Sequence, residues 1–144
     1  LRASCSPHSM LRSQRPPLTA IHGFSPAWST GFDLWAAEAV LRARAALPVQ
    51  LLCAVPFDGQ ADRFPLEWKR RFNRCLLAAD KVYALSRSYH AGCFAARNRF
   101  MVDASSRLIC YYDGRSGGTA QTVHMAEQSG LKIVNLADGQ LSLL

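Results

Sequence analysis

The tract Asp113-Gly114-Arg115-Ser116-Gly117-Gly118-Thr119 follows a short apolar run, Leu108 to Tyr112, and precedes a stretch in which Val123, Ala126 and Leu131 recur near a 3.6-residue period. A strand that runs through glycines into a helix N-terminus is suited to hold an anion. Glycines let the backbone come close, the first N–H groups of the helix lack intrahelical acceptors, and the helix dipole favours negative charge. An ordinary strand-to-helix turn uses the same residues, so the tract alone tips only slightly towards phosphate. Its candidate ligand residues are Asp113, Gly114, Gly117, Gly118 and Thr119.

A second group with chemical potential is Arg97-Asn98-Arg99, in a helical pattern from Phe94 to Ser105. Two positions on, a helix has turned by about 200°, so both arginines cannot face one ligand. Arg97 shares a face with Met101 and is the candidate for phosphate, with a surface arginine as the alternative; Arg99 matches Asp103 as an i,i+4 ion pair. Asp33 is either an acceptor for ribose hydroxyls or a helix-capping group. Phe57, Gln60 and Tyr89 are loop residues placed to contact a ribose or a base, although loop residues more often do nothing specific. His90 and His124 show no partner, and Ser116 has no His/Asp arrangement around it, which argues against nucleophilic catalysis.

The elements that must position these residues alternate. A helix from Gly31 carries Trp35, Ala39, Val40, Ala43 and Leu47 as an expected inward stripe, with Glu38 and Arg42 as an i,i+4 pair and Thr30 and Asp33 at capping-box spacing. Pro48 stops it, and Val49 to Val55 reads as a buried strand. A helix from about Pro65 to Ala79 follows, with Trp68, Phe72, Cys75 and Ala79 inward and Lys69, Arg70, Arg71 and Arg74 on a solvated face. Lys81 to Leu85 and Lys132 to Leu136 are further strands, and Gly130 sits where a helix C-cap belongs. Strands and helices alternating at these spacings predict an α/β, three-layer Rossmann-like domain with a mostly parallel sheet. Ligands of such sheets bind beyond the carboxyl ends of the strands, so Thr30 to Asp33, Pro56 to Gln60, Ser86 to Arg97 and Asp113 to Thr119 should converge on one edge.

Length and charge set the bounds. With 144 residues, 49% of them hydrophobic and 19% charged, the chain fits one globular domain. No run approaches the roughly 18 apolar residues of a membrane span. The net charge of +7 favours polyanionic partners, nucleotide or nucleic acid. Five cysteines without a CxxC pair disfavour zinc and a disulfide framework and fit a reducing, cytoplasmic setting; Cys53 and Cys110 fall inside apolar strands. Residues 1 to 30 hold Arg2, Arg12 and Arg15 but no acid, and only Leu18 to Phe24 could make a short strand. The expected organisation is a divergent or truncated amino-terminal segment, 1–30, followed by the domain proper, 31–144.

Four ordered motifs, GFDLWAAEAVL at 31–41, PFDGQ at 56–60 with Trp68 following, YHAGCFAARNRFMVD at 89–103 and DGRSGGT at 113–119, lie within Gly31 to Leu136, about three quarters of the chain. With them the sequence resembles the YpsA/YoqJ-like family of the SLOG superfamily, Rossmann-like domains that include the DprA and LOG proteins. The resemblance implies a nucleotide-related ligand at the edge described above. Family members usually open with a strand and a Gly-His-Arg-Pro motif; here only Gln14-Arg15-Pro16 is faintly similar, and Ser25 to Thr30 stands in place of a small-residue turn. The amino-terminal strand and helix are thus expected to be divergent or missing.

LOG proteins hydrolyse nucleoside monophosphates and carry a glutamate soon after their glycine turn. Arg97 and Met101 match their arginine helix, but Ala120, Gln121 and Thr122 follow Thr119, and the first carboxylate, Glu127, lies about two helical turns on. DprA loads single-stranded DNA, and its RNR helix and SGT-like turn are similar to Arg97-Asn98-Arg99 and Ser116 to Thr119. Three expectations follow in order: binding or sensing of a nucleotide-derived ligand, with nucleotide, NAD or ADP-ribose-like molecules as the class; hydrolysis of such a ligand, with Asp33 or Asp113 as the nearby carboxylates; and single-stranded DNA binding. A homo-oligomer is compatible with each, and no membrane association is expected.

Overall fold

The computed structural model describes residues 19–22 and 31–138. Five short strands alternate with four helices: β1 Thr19–His22, α1 Gly31–Ala43, β2 Leu52–Val55, α2 Leu66–Ala78, β3 Lys81–Ala84, α3 Cys93–Asp103, β4 Arg107–Cys110, α4 Gly118–Gln128 and β5 Lys132–Asn135. A 3-10 turn, Gln60–Arg63, precedes α2. All observed strand pairings are parallel, as crossover helices require. The fold is the α/β, Rossmann-like one, drawn as two small sheets, β1-β4-β5 and β2-β3. The short strand expected within Leu18 to Phe24 is β1, which pairs with β4 from Thr19↔Arg107 to His22↔Cys110. The remaining expectations for residues 1–30, Thr30 as a cap among them, lie outside the described residues.

The core forms where β4 meets the helices that follow and precede it. Leu108 and Cys110, alternate residues on one face of β4, pack with Val102 of α3, Val123 and Ala126 of α4, and Leu131. The end of α4 is fixed locally: Gly130 takes φ 69°, Leu131 N–H donates to Ala126 O at 2.9 Å, and Gly130 N–H donates to Glu127 O at 3.0 Å. This is a Schellman motif, and it delivers Leu131 to the core cluster. In the β2–β3 ribbon, Tyr83 meets Phe100 of α3 at 5.1 Å between ring centroids, while Val55, Val82 and Ala84 turn to Phe72 and Leu76 of α2. The ribbon thus has α3 on one face and, across a groove, α2 on the other, with Val82 left 41% exposed. Burial pushes the Cys53 thiol up to about 11 and the Cys75 and Cys110 thiols above their ordinary value, as expected of cysteines in apolar strands and helices.

The inward face of α1 differs from the expected stripe. Leu34 is the buried residue, whereas Trp35 and Leu47 are each 56% exposed, Ala39 is exposed, and the helix ends at Ala43. The face of α1 towards α2 includes a charged residue that the stripe did not foresee: Glu38 accepts from Arg71 Nε at 2.8 Å and Nη2 at 2.7 Å. Glu38 thus binds Arg71 rather than forming the expected pair with Arg42, which acts on it only through space. Arg71 also lies over the Trp68 ring at 4.5 Å and so leaves the solvated face assigned to it. The strand expected over Val49 to Val55 is confined to Leu52–Val55, because Leu51 N–H donates to the Asp80 carboxylate at 2.8 Å instead of to a strand.

Candidate functional site

The loops that leave β2, β3 and β4 at their carboxyl ends each lead into a helix, and two of those helices begin alike. The cap of α3 is Gly92 (φ 85°) and that of α4 is Gly117 (φ 147°); neither start has a side-chain capping bond or an acid in its first turn. By contrast α1 and α2 carry Asp33 and Glu67 in their first turns. A side chain at Gly117 would meet no atom within 4 Å, so glycine there answers to backbone conformation rather than to space. Helices α3 and α4 pack on each other, with Val102 of α3 against Val123 and Ala126 of α4. Thr122 Oγ1 donates to Gly118 O at 3.0 Å and ties down the first turn of α4.

The turn itself is held by its own side chain and by β5. Asp113 Oδ1 accepts from Arg115 N–H at 3.1 Å, with Arg115 Nε 3.3 Å from Oδ2, so Asp113 shapes the turn. Gly114 takes φ 89° beside it. Asn135 accepts from Tyr112 N–H at 2.9 Å and donates to Tyr112 O at 2.8 Å, a role the sequence reading missed. A polar residue at the end of the last strand was the available signal.

Arg97 is 5% exposed, inside rather than on the surface, and its Nη1 lies 3.9 Å from the Asp33 carboxylate. Its Nε donates to Asn98 Oδ1 at 2.7 Å. Burial holds its pKa below the usual guanidinium range, opposed first by the charge of Asp33. Two residues proposed for one site thus meet, and Asp33 joins its helix to α3. Arg99 is exposed and pairs with Asp103 at 4.0 Å, as its spacing indicates.

The aromatic candidates also come together. Phe57, from the loop after β2, makes edge contacts with Tyr89 at 5.7 Å and Phe94 at 6.0 Å between centroids, leaving Tyr89 66% exposed at the start of α3. Gln60 is placed elsewhere: it lines a groove of about 240 Å³ with Lys69, Phe72 and Asn73 of α2, on the other face of the β2–β3 ribbon from Tyr83 and α3. Glu127 sits near the far end of α4, 4.0 Å from His124. No group of three His, Cys, Asp or Glu side chains could hold a metal ion among the described residues, and no described helix is long and apolar enough to cross a membrane.

The family model YpsA, described as the YspA SLOG family, matches residues 27–134. A UPF0398 protein of Oceanobacillus iheyensis is 26% identical over 93 residues, which are 63% of this chain and 50% of the relative. A UPF0398 protein of Halalkalibacterium halodurans is 29% identical over 92 residues, 62% of this chain and 49% of the relative. One from Macrococcus caseolyticus is 29% identical over 85 residues, 58% of this chain and 46% of the relative. The chain spans about half the length of the curated relatives it matches.

Proposed function

Since this chain belongs to the YpsA family of SLOG domains, we propose that it binds or senses a nucleotide-derived ligand at the start of α4. The observation that carries this reading is the glycine-capped start of α4 at the carboxyl end of β4, which, like that of α3, has no side-chain capping bond and no first-turn acid. Backbone N–H groups of Gly117, Gly118 and Thr119 hold the phosphate, with Asp113 and Gly114 shaping the turn. Arg97 adds positive potential from within and holds Asp33 in place for the ribose hydroxyls. Tyr89, braced by Phe57, stacks on the base.

A thermal-shift panel of nucleoside mono- and diphosphates, NAD, ADP-ribose, inorganic pyrophosphate and a short single-stranded oligonucleotide tests this. Stabilisation by a small nucleotide that is lost in Gly117→Val supports the reading. Release of free base or ribose phosphate would replace it with hydrolysis. Stabilisation by the oligonucleotide alone, falling steeply with salt, would replace it with single-strand DNA binding, for which the net charge of +7 speaks. If no member of the panel shifts a folded wild-type protein, the reading is wrong.

A further inference from the structure

The β4–β5 ladder ends at Cys110↔Asn135, yet the hydrogen bonding continues by one rung made from a side chain. The Asn135 carboxamide spans the backbone of Tyr112, accepting from its N–H at 2.9 Å and donating to its carbonyl at 2.8 Å. The same Oδ1 accepts from Ala137 N–H at 3.2 Å, and Nδ2 donates to Asp138 Oδ1 at 3.2 Å. These bonds let β5 turn away at Leu136 while the backbone after β4 stays pinned as far as Tyr112, the residue before the Asp113–Thr119 turn.

We propose that Asn135 is the positioning residue of the glycine turn: its carboxamide fixes where the turn departs from the sheet, and hence where the first N–H groups of α4 point. The proposal rests on the phosphate-binding reading for its purpose, while the exchange arm of its test stands apart from that reading. A primary carboxamide suits this place, since it presents an acceptor and a donor side by side on one carbon. A carboxylate of the same size keeps the acceptor for Tyr112 N–H, loses the donor, and faces both the Tyr112 carbonyl and the Asp138 carboxylate. Within the turn, Asp113 and Arg115 are bonded to each other, and Gly114 and Gly117 bring no side chains.

The experiment compares backbone amide hydrogen exchange of wild type, Asn135→Asp and Ile133→Val. Ile133 lies on the same strand against the core but makes no rung to Tyr112, so it reports a merely weakened strand. Asn135→Asp should speed exchange across residues 111–120 about tenfold, leave residues 81–103 unchanged, and exceed Ile133→Val in that segment. Unchanged exchange over 111–120, or an equal effect of Ile133→Val, would overturn the proposal. Pyrophosphate stabilisation, measured alongside, should weaken in Asn135→Asp more than in Ile133→Val. Equal weakening would also overturn it. Should pyrophosphate and the nucleotides leave even wild type unshifted, the binding reading fails, and the exchange result still decides the role of Asn135.

Discussion

Arg97 Nη1 and Asp33 Oδ2 stand 3.9 Å apart, the arginine side chain 6% exposed and the aspartate 30%. A cation inside α3 is thus balanced by an acid in the first turn of α1. The aspartate pays part of its hydration for that position, and its charge lowers the cost of keeping the arginine charged inside. Asp33→Asn should therefore destabilise the protein more than Arg97→Met, which removes the buried charge and keeps the packing. The expected loss is about 1–3 kcal/mol for Asp33→Asn, and urea unfolding at pH 7 measures both.

At Gly117, φ is 147° and a Cβ would meet no atom within 4 Å, so substitution strains the backbone without a clash. Gly117→Ala should cost about 1–3 kcal/mol of stability and weaken nucleotide-induced stabilisation beyond that loss. Ala120→Gly, inside α4 but past its cap, should cost up to about 1 kcal/mol and leave ligand-induced stabilisation in place. Thermal shifts with and without nucleotide separate the two effects.

Tyr89 touches Phe57 with one edge and is otherwise open to solvent. Tyr89→Ala should change stability by no more than about 0.5 kcal/mol, yet lower affinity for base-containing ligands about tenfold, the worth of one stacked ring. Affinity for inorganic pyrophosphate should stay the same. Calorimetric titration with a nucleoside diphosphate and with pyrophosphate gives the comparison.

Two carboxylates set the acid limb of stability. The hydrogen bond from Arg71 lowers Glu38 below its ordinary 4.5, and the Leu51 N–H followed by Arg44 lowers Asp80 below its ordinary 3.8. Groups with depressed folded pKa values stabilise the fold above their unfolded values, and that stability is lost as pH falls through the folded ones. Stability should hold down to about pH 4.5 on account of Glu38 and decline below it. Glu38→Gln should be less stable at pH 7 and lose less on acidification; denaturant midpoints from pH 7 to pH 3 test this.

The alternation of strands and helices, their approximate ends, the Gly130 cap and the Arg99–Asp103 pair were readable from residue type and spacing, because each depends on neighbours within a few positions. The rotation of α1 was not. Its apolar spacing pointed to the Trp35 stripe, yet Leu34 is the buried residue, and Glu38 found its partner in Arg71, 33 residues on, rather than in Arg42. Likewise the sequence named Arg97, Asp33, Phe57 and Tyr89 one by one, but only the packing of α1, α3 and the loop after β2 paired them, and it put Gln60 with α2 instead. Asn135 shows the same limit: the residue type is polar anywhere, and its carboxamide became a rung of the sheet only when parallel pairing set β5 beside the end of β4. Local geometry is encoded in a few adjacent side chains, whereas partners distant along the chain are chosen by which faces can be buried together and which charges must then be balanced.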